Sequence, residues 1–329
     1  MSKKIYGGLL LGMILFCCFV CNLQSGARGQ QKYDSTLLYF DTVVQISFYA
    51  GEDGENIMQH CREICDEIEN TFSRTRETSE LYRINHRTEN TVQVSDGIAE
   101  LVEMGLRFYE ISGGKLDITI APLSDVWDFK SEDATIPLRE EIEEAVEKVD
   151  ASRVHLDGNT LSFDRDDTML DLGALAKGYA ADRLREYLNT QGVTSGIINL
   201  GGNVLTLGTK PDGSAWRIGI QKPFDERGDT ITVVEADNES VVTSGIYERY
   251  FEQDGVIYHH ILDPDTGYPI ENDIWGVTIL SSSSLLGDAL STTCLTLGVD
   301  AARELIDSME DVEAIFVKDD LKLIYTEKK

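Results

Sequence analysis

The stretch from Leu170 to Ala181, LDLGALAKGYAA, constrains this chain more than any other. A short apolar run ends in an acid, Asp171, then a glycine, Gly173, and what reads as the first turn of a helix carrying Lys177. Such a strand-to-helix junction sets a carboxylate and an ammonium at one mouth. Unpaired N–H groups and a partial positive charge at a helix start suit a phosphate, and the glycine lets a ligand approach the backbone. Taken alone, the stretch is equally compatible with an ordinary surface junction and a solvated lysine.

The chain has 329 residues, enough for one large domain or two of ordinary size. With 42% hydrophobic and 26% charged residues it has the composition of a globular protein. The formal net charge of −29 repels nucleic-acid phosphates and anionic lipid, so nucleic acid is excluded as a partner. An anionic ligand needs local positive charge, or a divalent metal, to enter.

Lys3 and Lys4 precede an uncharged, mostly apolar stretch from Ile5 to Cys21, and Ser25-Gly26-Ala27 has the pattern of a cleavage site. Residues 1–27 are therefore expected to be a signal peptide or an N-terminal anchor, with 28–329 as the extracytoplasmic working domain. Export is favoured; membrane association through the N-terminus stays open, because about 17 residues is at the short end for a span. Neither Cys18 nor Cys21 sits in a regular lipid-attachment signal. Cys61, Cys65 and Cys294 read as buried thiols. The first two lie one helical turn apart, roughly 5–6 Å at Cβ, too far for an easy disulfide.

Taken in order, Tyr39–Tyr49 reads as the first strand and residues 57–72 as an amphipathic helix with Ile57, Met58, Cys61, Cys65, Ile68 and Phe72 on one stripe. Residues 73–85 read as an ordered polar loop with Arg74, Arg76 and Arg83. Ser95 caps a second helix, Pro137 opens a third, and the junction helix runs from Gly173 to Thr190. Asp157-Gly158, Gly201-Gly202 and Asp254-Gly255 mark turns between strands. Val256 to Asp263, VIYHHILD, reads as one strand, with His260 and Leu262 on one face and His259 on the other. Ser284 is expected to cap the helix LLGDALSTTCLTLG. Strands and helices are mixed irregularly, which predicts an α+β fold with helices packed on mixed, largely antiparallel sheets.

On that last helix Asp288 and Thr292 are i and i+4, so a carboxylate and a hydroxyl share a face. Both are hard oxygen ligands of the kind Mg²⁺ takes, although the pair alone is a weak signal. The common nucleotide and hydrolase signatures are absent: no P-loop, no GxGxxG, no GxSxG, no HExxH.

Seven segments in order, SRTRETSELYRIN, GGKLDITIAPL, LDLGALAKGYAADR, INLGGN, VTSGIYERYF, HHILDPDTGYP and GDALSTTCLTLG, resemble the ApbE family of FAD:protein FMN transferases. The resemblance implies an enzyme that takes FAD as substrate and Mg²⁺ as cofactor, and joins FMN by a phosphoester to a Thr or Ser of an acceptor flavoprotein. Typical acceptors are subunits of membrane redox complexes exposed outside the cytoplasm. By position it implies flavin-dinucleotide contacts at Thr75, Lys115, Leu116, Asp117, Asp171, Lys177 and Leu262. It implies metal ligands at Ala174 (backbone carbonyl), Asp288 and Thr292, and a catalytic role for His260. Two positions depart from the family pattern: Phe40-Asp41-Thr42 stands for Met-Gly-Thr, and Ala174 for a glycine. A metal-dependent FAD pyrophosphatase and a non-catalytic flavin-binding protein are the competing readings.

Overall fold

A computed structural model describes residues 30–131, 133–226 and 228–327. The expected export segment, with Lys3, Lys4 and Ser25-Gly26-Ala27, lies outside the described residues. The strands are β1 (Gln31–Tyr39), β2 (Thr42–Ala50), β3 (Thr91–Gln93), β4 (Val154–Asp157), β5 (Thr160–Phe163), β6 (Gly196–Leu200), β7 (Asn203–Leu207), β8 (Trp216–Gln221), β9 (Thr230–Ala236), β10 (Ser240–Gly245), β11 (Tyr250–Gln253), β12 (Val256–His259), β13 (Ile274–Ser281), β14 (Glu313–Lys318) and β15 (Leu323–Tyr325). The helices are α1 (Gly54–Phe72), α2 (Glu80–Asn85), α3 (Asp96–Ile111), α4 (Ala121–Trp127), α5 (Arg139–Val146), α6 (Gly173–Thr190), α7 (Ser284–Leu297) and α8 (Val299–Asp307). Among the described residues no helix is long and apolar enough to cross a membrane.

Eight strands form one sheet in the order β1-β2-β6-β7-β10-β13-β14-β15, and every neighbouring pair is antiparallel. Alternation along these strands sends neighbouring side chains to opposite faces. Leu205, Ile279 and Phe316 join the main core with α1, α3, α6 and α7. Their neighbours Val204, Leu280 and Ile315 pack on the other face against Ile218 and Ile220 of the β8–β9 hairpin. A third cluster joins Leu123 and Trp127 of α4 and Ile142 and Ala145 of α5 to Leu262. The α+β class holds.

Several elements differ from the sequence reading. A strand, β1, precedes the expected first one and pairs with it through a two-residue turn, Phe40-Asp41. Both turn residues have φ of 55°, the positive values a type I′ turn requires. Residues 80–85 are not loop but α2, capped by Ser79, whose hydroxyl accepts from Tyr82 N. Within GGKLDITIAPLSDVWDF lies α4, with Pro122 in its first turn. The α7 cap is Ser283 rather than Ser284; its Oγ accepts from Leu286 N at 3.2 Å. The VIYHHILD strand ends at His259, because the chain changes partner there. His260 N still donates to Arg249 O at 3.1 Å, but Leu262 pairs with Pro269 beyond the following turn. Cys61, Cys65 and Cys294 are buried free thiols.

Two turns meet at one end of the sheet. Gly201, at φ 64° in the β6–β7 turn, stands so close to β2 that a Cβ would lie 2.1 Å from Thr42 Oγ1. Both turns line the large cavity.

Candidate active site

The cavity measures about 1220 Å³, above the roughly 300–1,000 Å³ of a drug-sized pocket. It begins at the start of α6 and passes the end of the main sheet onto the face under β8–β9. Thr75, Lys115, Leu116, Asp117, Asp171, Ala174, Lys177, His260, Leu262 and Thr292 all line it. Asp288 does not reach its wall; it lies one layer behind, 2% exposed.

The α6 start has the arrangement its sequence dictates. Asp171 Oδ1 accepts from Gly173 N at 2.8 Å and closes the turn into the helix. Lys177, one turn on, lies 3.7 Å from Asp288 Oδ1 and 3.4 Å from Gly173 O. The acid on α7 and the lysine on α6, 111 positions apart in numbering, are thus side by side. Burial pushes the Asp288 carboxyl up, against the pull of the Lys177 ammonium and the Gly178 N–H.

Whether these residues fit a metal is decided by their oxygens. In a regular helix Gly178 N–H is given to the carbonyl of Ala174; here it donates to Asp288 Oδ2 at 2.8 Å. The carboxylate thus competes for that N–H with the carbonyl of Ala174, a residue that lines the cavity. Lys177 Nζ stands 3.7 Å from Asp288 Oδ1, beyond hydrogen-bond length. Thr292 Oγ1 is 3.4 Å from Ser244 Oγ. Among the described residues no group of three or more His, Cys, Asp or Glu offers an alternative centre. One carboxylate, one hydroxyl and one carbonyl make a hard, all-oxygen set that fits Mg²⁺ rather than a softer ion.

His260 and His259 separate as the alternation expects. His259 is buried at 5% exposed, and desolvation lowers its pKa to about 4. His260 reaches the cavity, and its Nδ1 is 3.2 Å from Arg249 O. With the proton placed on Nδ1 to donate to that carbonyl, Nε2 is left as an acceptor. Burial first, then the charge of Arg249 and the neighbouring His259, push His260 down to about 3, so the ring is neutral near pH 7.

Two of the expected contacts have other partners. Lys115 Nζ is paired with Asp263 at 3.0 Å and Asp265 at 2.8 Å, tying the GGKLD loop to the HHILDPD turn. Asp117 accepts from Thr119 N at 2.6 Å, Thr119 Oγ1 at 2.5 Å and Ala151 N at 3.0 Å. Its carboxylate holds the loop, and desolvation pushes its pKa up. Arg74, part of the polar loop in the sequence reading, lines the cavity. It bridges Asp125 at 2.5 Å and Asp171 at 3.3 Å. The available signal is a small basic cluster, Arg74, Arg76 and Arg83, in an otherwise acidic chain.

A model of the ApbE family matches residues 40–316. The FAD:protein FMN transferase of Klebsiella pneumoniae (strain 342) is 35% identical over 288 residues, spanning 87% of this chain and 89% of that protein. The one from Treponema pallidum (strain Nichols) is 31% identical over 327 residues, spanning 93% and 90%. Among solved structures, the flavin transferase ApbE from Vibrio cholerae superposes with a TM-score of 0.82 at 27% identity, covering 91% of this chain and 98% of that one. The ApbE protein from Thermotoga maritima gives 0.82 at 31% identity, covering 90% and 97%. The antiparallel sheet, its helical layer and the cavity at the end of the sheet are thus the architecture of the flavin-transferase class. The chain belongs to the ApbE family.

Proposed function

We propose that this protein is an FAD:protein FMN transferase. It moves FMN from FAD to a Thr or Ser hydroxyl of an acceptor flavoprotein and releases AMP. The family membership supports the reaction class. The observation that carries the site is the 3.7 Å approach of Lys177 Nζ to Asp288 Oδ1 beside a dinucleotide-sized cavity.

In this reading FAD lies along the cavity with its diphosphate at the α6 start. Lys177 and the helix N–H groups offset the phosphate charge, and Asp171, braced by Arg74, shapes the entrance. Leu116 and Leu262 supply apolar contact for the rings, while Thr75 lies at the exposed end. Lys115 and Asp117 hold the loop and turn that frame the ligand. Ala174 O, Asp288 and Thr292 would hold Mg²⁺, which when bound neutralises charge on the diphosphate oxygens. The acceptor hydroxyl oxygen forms a bond to the FMN-side phosphorus as the bond from that phosphorus to the bridging oxygen breaks. His260 Nε2 takes the hydroxyl proton, and AMP leaves with the bridging oxygen. The diphosphate's negative charge beside His260 raises its proton affinity from the ligand-free value.

The expected export segment and the family together support an extracytoplasmic enzyme associated with the cell membrane through its N-terminus, acting on a subunit of a membrane redox complex. The test uses purified protein, FAD, Mg²⁺ and a candidate acceptor domain. Flavin fluorescence that stays with the acceptor on a denaturing gel, with AMP in equal amount, is the expected result. Free FMN and AMP without labelled acceptor would replace transfer with hydrolysis, and intact FAD alone would leave only binding.

A further inference from the structure

The two helices of the inner wall are tied together by one carboxylate outside the cavity, Asp182. It lies on α6, 8% exposed. Its Oδ1 accepts from Ser284 N at 3.0 Å, and its Oδ2 from Leu285 N at 3.0 Å and Ser283 Oγ at 2.9 Å. A helix start leaves four N–H groups without intrahelical partners. Of those in α7, the N–H groups of Ser284 and Leu285 go to Asp182 and that of Leu286 to Ser283 Oγ, while Gly287 N–H makes the first regular helix bond, to Ser283 O. Half of the α7 cap is therefore supplied by another helix. Arg185, one turn along α6, adds to the grip: it donates to Asp182 Oδ1 at 2.8 Å and to Ser282 O at 2.7 Å.

The clasp runs in both directions. Asp288, on α7, accepts from Gly178 N of α6 at 2.8 Å. The helices approach so closely there that a Cβ on Gly178 would lie 2.4 Å from Ser284 O and 2.6 Å from Leu285 Cα. Asp288 stands four residues beyond Ser284, about 6 Å along the axis, so the first turn of α7 sets where its carboxylate falls.

We infer that Asp182 is a positioning residue for the metal-holding oxygens: by fixing the start of α7 against α6, it sets Asp288 and Thr292 opposite Ala174. The inference rests on the reading of those three residues as the ligands. An asparagine at 182 has one acceptor oxygen and turns an N–H₂ donor toward the second backbone N–H, so it cannot hold both. The loss then appears in metal affinity rather than in binding of the dinucleotide alone.

The test is a titration of wild-type and Asp182→Asn protein with Mn²⁺, followed by the paramagnetic resonance of the free ion, beside FAD binding without metal. The Mn²⁺ dissociation constant is expected to rise about 10–100-fold, the range for residues that orient metal ligands. Metal-free FAD binding is expected to be unchanged. Ser95→Ala, which removes the α3 cap, serves as a control for general loss of stability and is expected to bind Mn²⁺ as the wild type does. Should Asp182→Asn fail to fold, Arg185→Met is read instead, with a smaller rise expected. Wild-type affinity in Asp182→Asn, or in Arg185→Met where it stands in, overturns the inference, as does an equal loss in Ser95→Ala. A wild-type protein that binds no Mn²⁺ overturns the ligand reading, and this inference with it.

Discussion

The α6–α7 wall of the cavity is held by buried hydrogen bonds between carboxylates and backbone, whereas its rim is held by ion pairs in contact with water. Asp288 is 2% exposed and Asp182 8%. In the rim pair Lys130–Asp41 the side chains are 51% and 62% exposed, and Asp265 opposite Lys115 is 78% exposed. Removing one partner from a buried network leaves the other uncompensated, at a cost of several kcal/mol. Exposed ion pairs contribute about 0–1 kcal/mol and are screened by salt. In the proposed reading, the wall is preorganised for an ion and a diphosphate, and the rim is the part that yields to FAD and acceptor at little cost.

The sharpest way to break this contrast is at Asp288. Asp288→Asn keeps the shape and one acceptor oxygen but removes the charge. We expect kcat/KM for FMN transfer to fall by about 10³-fold, close to 4 kcal/mol of transition-state stabilisation. Steady-state kinetics across Mg²⁺ concentration check it; wild-type activity at limiting Mg²⁺ would refute the assignment. Next comes His260→Gln, for which kcat should fall about 10²-fold or more, with the acidic limb of the pH–rate profile lost. A variant that keeps that limb would assign it to another group.

Smaller is the effect of pH on the fold through His259. Its folded pKa of about 4 lies below the ordinary value of 6.5, so the unfolded chain binds more protons between those values. Stability should therefore fall as pH drops from about 6.5 toward 4, by on the order of 2 kcal/mol between pH 7 and 5. Urea unfolding at the two pH values measures it. His259→Asn should reduce the pH dependence without abolishing it, because His260 is shifted in the same direction. An unchanged slope in that variant would remove His259 from the account. The least effect is expected at the rim: Asp41→Asn, which releases Lys130, should change stability by less than about 1 kcal/mol. A larger loss would mean that the rim is structural after all.

Much of this was legible where local chemistry decides local structure. The limits of α6 follow from Gly173 at its start and Gly192, at φ 75°, just past its end. Asp254-Gly255 closes a two-residue hairpin between Gln253 and Val256. The strand β1 was missed because its face is mostly exposed and KYDSTLLY lacks a clean alternation. The break after His259 was hidden because VIYHHILD is regular in sequence, and only the change of pairing partner ends the strand. In the site, residue types pointed to an oxygen-ligated ion and a basic helix start. They carried no trace of Asp182 meeting Ser284, or of Arg74 meeting Asp171, since tertiary packing alone makes those contacts.

The most direct test of the account is a crystal structure with FAD and Mn²⁺, read for anomalous scattering. A peak bonded to Asp288, Thr292 Oγ1 and Ala174 O at about 2.0–2.2 Å, touching the FAD diphosphate, is the predicted result. A peak elsewhere, for example in the acidic recess of about 640 Å³ beside Glu141 and Asp166, with the diphosphate remote from Lys177, would contradict it.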